Sequence, residues 1–215
     1  MTGLYVDSIK DASNTKTLAT LSSSAVTLDS SVVVPASIGG VQVFLEKYTA
    51  NNGSSSKIFD LSTFTESFDE YRFVINKLTP KNDNRDLLVR LGPTTASIDI
   101  GNNYRMSGVQ HYYTGSTSGN SNLSSLNAVT SVQGIGGGTG EGLSGEIKMY
   151  GLRNASVQAQ TTTLLTSYYH GDSQELYALS AIHYANQDDK AVSFANDGSG
   201  NWDSGTITVY GVRNA

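Results

Sequence analysis

The sequence predicts an all-β protein, an antiparallel β-sandwich of jelly-roll-like type with an extended N-terminal β arm. Three observations lead there. Apolar residues recur with period two in short runs rich in β-branched and aromatic side chains. Polar segments rich in Gly, Ser, Asn and Asp separate those runs, and the 215-residue chain carries 22 Gly but only 3 Pro and 15% charged residues. Finally, one line is written twice: "SGEIKMYGLRNA" at 144–155 returns as "SGTITVYGVRNA" at 204–215, with eight of twelve positions identical.

Residues 1–57 read as an arm and linker. They hold three of the nineteen aromatics, Tyr5, Phe44 and Tyr48, and consist of short runs such as "TLATLSSSAVTLDSSVVVP" and "GGVQVFLEKYTANNGSSS". Runs like these bury too little apolar surface to offset the entropy of ordering them. Order in the first forty residues is therefore expected from sister chains or a larger assembly, the alternative being a disordered tail. "NNGSSSK", 51–57, has the composition of a linker.

From residue 58 onward the strand signals become regular. "YRFVINKL" places Tyr71, Phe73 and Ile75 on one face, and "DLLVRLG" does the same with Leu87, Val89 and Leu91; "TPKNDNR" makes the turn between them. Further strands are expected at "GVQHYYTG", "TTLLTSYYHG", "YALSAIHYAN", "KAVSFANDG" and both copies of the repeated line. "QELYALSAIHYAN" also fits a helical face through Leu176, Leu179 and Ile182. About eight strands without intervening helices give the sandwich, assigned to residues 58–215.

The repeat fits that architecture. "EIKMYG" and "TITVYG" put Ile147 and Met149, or Ile207 and Val209, on one face, while Gly151 and Gly211 suit a bulge or a close backbone approach. A second domain built from 156–215 would have only a small core. Two similar strands of one sandwich, facing each other across it, are the simpler expectation.

Little in the chain has the spacing of a chemical site. The net charge of −5 and the absence of a Lys/Arg stripe argue against nucleic acid. With no Cys there are neither disulfides nor thiolate metal sites. The N-terminus lacks a signal-peptide core, and no apolar run approaches a membrane span, so no membrane insertion is expected. "GIGGGTGEG", 134–142, enters a strand and has no Lys, which reads as a loop rather than a phosphate cradle. "DGSGNWD" sets Asp197, Ser199, Asn201 and Asp203 at alternate positions, as in some calcium loops, but without the distal Glu; a turn before a strand is the competing reading. His111, His170 and His183, each beside a Tyr, read as strand or rim residues rather than a zinc site. No G-x-S-x-G elbow exists, and Asp69/Glu70 and Asp188/Asp189 are adjacent pairs that point to opposite faces of a strand. Neither catalysis nor a cofactor is expected.

The tyrosines are the strongest binding signal. Tyr112, Tyr113, Tyr168 and Tyr169 form consecutive pairs in two candidate strands, with Tyr177 and Tyr184 nearby. One ring of each pair fills the core, and the other is left for an interface or for a glycan.

Taken in order, the "VDSIKDASNTK…TLSSSAVTL" arm, the "YRFVINKLTPKNDNRDLLVRL" hairpin, "GNNYRM", "GEIKMYGLRN" and the closing "KAVSF…GSGNWDSGTITVYGVRN" resemble small virion proteins of tailed bacteriophages, especially of marine and cyanobacterial hosts. The resemblance covers most of 58–215 and, more loosely, the arm. It implies a structural or host-facing virion protein, a tail fibre or appendage or a capsid-surface decoration. It also implies a homotrimer, with residues 1–40 binding sister chains or other virion proteins. A carbohydrate-binding, lectin-like module is the alternative on the same sandwich.

Overall fold

The computed structural model describes residues 8–10, 17–21, 26–28, 41–64, 68–112, 117–169, 173–185, 187–197 and 200–213. They are all-β and antiparallel, with a single 3-10 turn at Leu61–Thr63. The chain divides into a unit ending at Gly39 and a second unit, Gly40–Asn214.

In the first unit β1 (Ser8–Lys10), β2 (Thr17–Leu21) and β3 (Val26–Leu28) form an antiparallel meander. These arm strands, expected to lack partners within the chain, pair with one another: Ile9 lies opposite Ala19 and Thr20 opposite Thr27.

The second unit contains β4 (Val41–Thr49), β5 (Ser56–Asp60), β6 (Glu70–Pro80), β7 (Arg85–Gly92), β8 (Tyr104–Tyr112), β9 (Thr117–Leu126), β10 (Thr130–Ile135), β11 (Gly142–Tyr150), β12 (Ala159–Tyr169), β13 (Ser173–His183), β14 (Ala191–Asn196) and β15 (Trp202–Arg213). Four pairings define its topology: β4 with β15, β5 with β14, β6 with β11 and β7 with β10. The chain behaves as one long antiparallel hairpin rolled into two sheets, ordered β4-β15-β6-β11 and β5-β14-β7-β10. That is the jelly-roll order. Two hairpins inserted into it, β8–β9 and β12–β13, extend the first sheet as β11-β12-β13-β8-β9. A single bridge, Ile135 to Tyr169, ties β10 to β12.

The core lies between the sheets. Tyr71, Phe73 and Ile75 of β6 and Leu87, Val89 and Leu91 of β7 are buried, as the alternation predicts. Phe73 meets Phe59 of β5 and Phe194 of β14 with centroids 5.6 and 5.2 Å apart, so three rings from facing sheets interlock. Trp202 is fully buried at the start of β15.

Two expectations are corrected, and one ambiguity is resolved in favour of the strand. The arm and linker do not extend to residue 57, because β4 pairs along β15 and Ser56 and Lys57 already pair with β14. In "QELYALSAIHYAN" residues 174–183 are strand, since β13 is paired on both edges, by β12 and β8. The two copies of the repeated line do not face each other across the sandwich. β11 and β15 lie in one sheet, on either side of β6.

That position explains the repeat. Ile147 lies opposite Phe73 and Ile207 opposite Ile75, a two-residue stagger that keeps the same face inward. β6 carries one extra residue, seen from both neighbours: Leu78 and Ile75 bracket two steps of β11, and Thr79 and Asn76 bracket two steps of β15. Lys77 sits at this bulge with φ +47°. Ser144 Oγ accepts its N–H at 2.9 Å on one side. On the other, Gly205 packs so close that a Cβ there would lie 2.1 Å from the Lys77 carbonyl oxygen. The serine of one copy and the glycine of the other thus fit against the two sides of the bulged strand.

Candidate functional site

The bulge also lines a surface cleft. Inward residues on β6 run Tyr71, Phe73, Ile75 and then Leu78, so Asn76 and Lys77 are both exposed on the outer side. Next to them on that face the registers align Ser144 of β11, Thr166 of β12, Leu176 of β13 and His111 of β8 in one row, with Tyr168 and Gln174 as an adjacent pair. Together these residues line a cleft of about 660 Å³. Ser167, whose buried hydroxyl has no partner among the described residues, lines it too.

A second cleft, about 490 Å³, is lined by Asp86, Gln110, Gln133 and Asp197. Tyr112 and Glu175 line both clefts. Glu175 is only 3% exposed, yet its carboxylate is well held: Gln110 Nε2 donates to Oε2 at 3.0 Å, and the Tyr177 hydroxyl donates to the same oxygen. Burial pushes the Tyr177 phenol well above its ordinary range, and the Glu175 hydrogen bond and charge push it further.

The deepest polar cluster lies elsewhere. His183 is completely buried, with Nδ1 2.8 Å from Asp189 Oδ2 and Nε2 3.0 Å from Asp99 Oδ2. Its ring stacks on Tyr104 at 4.4 Å, and the Tyr104 hydroxyl accepts the Leu91 N–H at 3.0 Å. Gln187 donates to Asp189, and Asn103 and the Gly101 N–H donate to Asp99. Burial works against the charged imidazole, but the hydrogen bonds and charges of Asp189 and Asp99 outweigh it and raise the His183 pKa. Burial likewise opposes ionisation of Asp99, whose pKa is nevertheless lowered by Asn103, His183 and Gly101. Both ring nitrogens are engaged by carboxylates, so the geometry is that of a structural ion triad tying the β7–β8 connection to the β13–β14 connection.

The predicted site residues scatter accordingly. Tyr112 and Tyr168 meet at the first cleft and both are half-buried. The backbone of Tyr169 pairs with Ser173 and Ile135, whereas Tyr113 and His170 lie outside the described residues. His183, expected as a strand or rim residue offering a polar edge, is the last residue of β13 but is buried, because the β13–β14 connection folds Asp189 back onto it. Of the calcium-loop candidates, the three described residues have separate surroundings. Asp197 accepts the Asp86 N–H at 3.0 Å, Asn201 donates to the Asn52 carbonyl at 2.6 Å, Asp203 is exposed on β15, and Ser199 lies outside the described residues. Among the described residues no group of three or more His, Cys, Asp or Glu is placed to hold a metal ion.

Two parts of these sites escaped the sequence reading. Asn76 and Lys77 had a legible signal, the one-residue break in alternation between Ile75 and Leu78. Asp99 had none that linked it to a histidine 84 positions away. No family model, curated protein or solved structure matches the chain.

Proposed function

We propose that the protein is a non-enzymatic structural component of a tailed-bacteriophage virion, a tail fibre or appendage protein or a capsid-surface decoration protein. The jelly-roll domain faces outward, and residues 1–40 join it to sister copies in a homotrimer or to a neighbouring virion protein. The observation carrying this reading is the combination of a jelly-roll unit from Gly40 with a separate N-terminal unit of three short strands. Jelly rolls recur in viral capsid proteins. Strands of three, five and three residues are too small to be stable alone, so such an arm gains its order in company.

The strand that follows the arm supports the same reading. β4 is an edge strand, paired among the described residues only with β15, and it exposes Val43 and Phe44, the latter at 59%. Exposed apolar edges invite association unless covered, and an assembly contact covers this one. Gold-labelled antibody to residues 41–213, applied to purified particles of the virus encoding the chain, tests the reading. Decoration of the particle surface is expected. Signal confined to the particle-free fraction of the lysate would overturn it.

A further inference from the structure

We propose that the 660 Å³ cleft on the outer face of the larger sheet binds an uncharged saccharide, with Tyr168 as its aromatic platform and Asn76, Lys77 and Gln174 as hydrogen-bonding groups. This reading rests on the cleft alone and holds wherever the protein is mounted.

The lining excludes most other occupants. β6, β11, β12, β13 and β8 are each paired on both edges, so no peptide can add to them as a strand, and recognition has to go through side chains. Lys77 is accompanied by Glu141 and Glu175 in a chain of net charge −5, a poor setting for a phosphate or sulfate polymer. Amides and hydroxyls of Asn76, Gln174, Thr166 and Ser144 interrupt the apolar surface of Leu176, which disfavours a lipid chain. What remains is a ligand with many hydroxyls, C–H faces and no charge. A tyrosine ring accepts the C–H face, and the amides and the ammonium serve the hydroxyls. The volume lies within the range of small-ligand sites.

The cleft also shows signs of having been built. Lys77 holds a left-handed backbone conformation that a non-Gly residue adopts at a cost, and such strain gathers at functional positions. The bulge turns two consecutive polar side chains outward at the cleft where regular alternation would turn one inward.

The test uses the full chain on an array of neutral, sialylated and sulfated oligosaccharides, followed by calorimetric titration of the strongest neutral binder. Binding to neutral glycans is expected, with a loss of tenfold or more in Tyr168→Ala and in Gln174→Ala. Val157→Ser, in the β11–β12 connection at the far end of both strands from the cleft, is expected to bind as the parent chain does. Gln174 is exposed, so its variant decides the matter if Tyr168→Ala does not melt cooperatively. No binding to any neutral glycan, binding confined to sialylated or sulfated glycans, or affinity unchanged in Gln174→Ala would each overturn the proposal.

Discussion

His183 and Asp189, six residues apart, form a contact that is almost fully removed from solvent: Nδ1 and Oδ2 lie 2.8 Å apart, with the side chains 0% and 1% exposed. The pair has a consequence for pH. Unfolded histidine titrates near about 6.5, and the folded value is raised, so its contribution is complete below that pH and is lost as pH rises through the folded value. Asp99 has the opposite sign: its folded value is lowered, so its contribution is present above about pH 4 and is lost as pH falls through the folded value. Melting temperature measured from pH 4 to 9 is expected to peak on the acid side of neutrality. The decline above neutral pH should be shallower in His183→Gln; an equal decline in both would reassign it. At pH 6 that variant should lose about 3–5 kcal/mol, because two carboxylates are left without their cation.

Tyr104 supports the same triad from one face. Its hydroxyl accepts the Leu91 N–H and lies within reach of the Leu91 and Asp99 carbonyls. Tyr104→Phe keeps the ring on His183 but leaves a buried N–H unpaired. A loss of about 1–3 kcal/mol in urea unfolding is expected. An unchanged midpoint would show that the hydroxyl is dispensable.

Close backbone approaches at β11 and β15 predict unequal costs for glycine substitutions. Gly205→Ala and Gly145→Ala combine positive φ with a Cβ 2.1 Å from the Lys77 carbonyl or 2.2 Å from the Leu164 carbonyl. Gly140→Ala has positive φ but nothing within 4 Å. The first two should each cost more than the roughly 1–3 kcal/mol of backbone strain alone, and Gly140→Ala no more than that. Three chemical denaturation curves make the comparison, and equal losses would contradict the close packing of Gly205 against Lys77 and of Gly145 against Leu164.

Truncation tests the boundary at Gly40. A chain starting there keeps β4 on β15 and should melt cooperatively. One starting at residue 58 loses β4 and part of β5, exposes the β15 edge, and should melt lower or aggregate. Residues 156–215 alone lack β6, the strand on which β15 is built, and should not fold. A cooperative melt from that fragment would be incompatible with the jelly-roll pairing.

Assembly gives the fifth test. Full-length protein is expected to have a trimer's mass in solution, and the chain starting at Gly40, which keeps the β4 edge but loses the three arm strands, a smaller one. A monomeric full-length chain, even beside the proteins of the particle proposed to carry it, would remove the proposed assembly role from residues 1–40.

The sequence by itself determined the fold class and most inward faces, because period-two alternation is a local consequence of the pleat. Tyr71, Phe73 and Ile75 could be placed inward from neighbours one and two positions away. It failed at β9, "TSGNSNLSSL", and at β10, "TSVQGI", whose pairing is supplied by β8 and β7 rather than by their own propensities. β4 was legible as a strand but was put on the wrong side of the boundary, since only its partner β15, more than 150 residues away, makes it part of the jelly roll. The candidate cleft divides the same way. Tyr112 and Tyr168 stood out as tyrosines in strands, but their meeting depends on the order β12-β13-β8, which no local pattern encodes. Tertiary structure alone brought Asp99 to His183, and set two copies of one line on either side of a single bulged strand, because long-range pairing is decided by which edges and faces the whole chain can bury together.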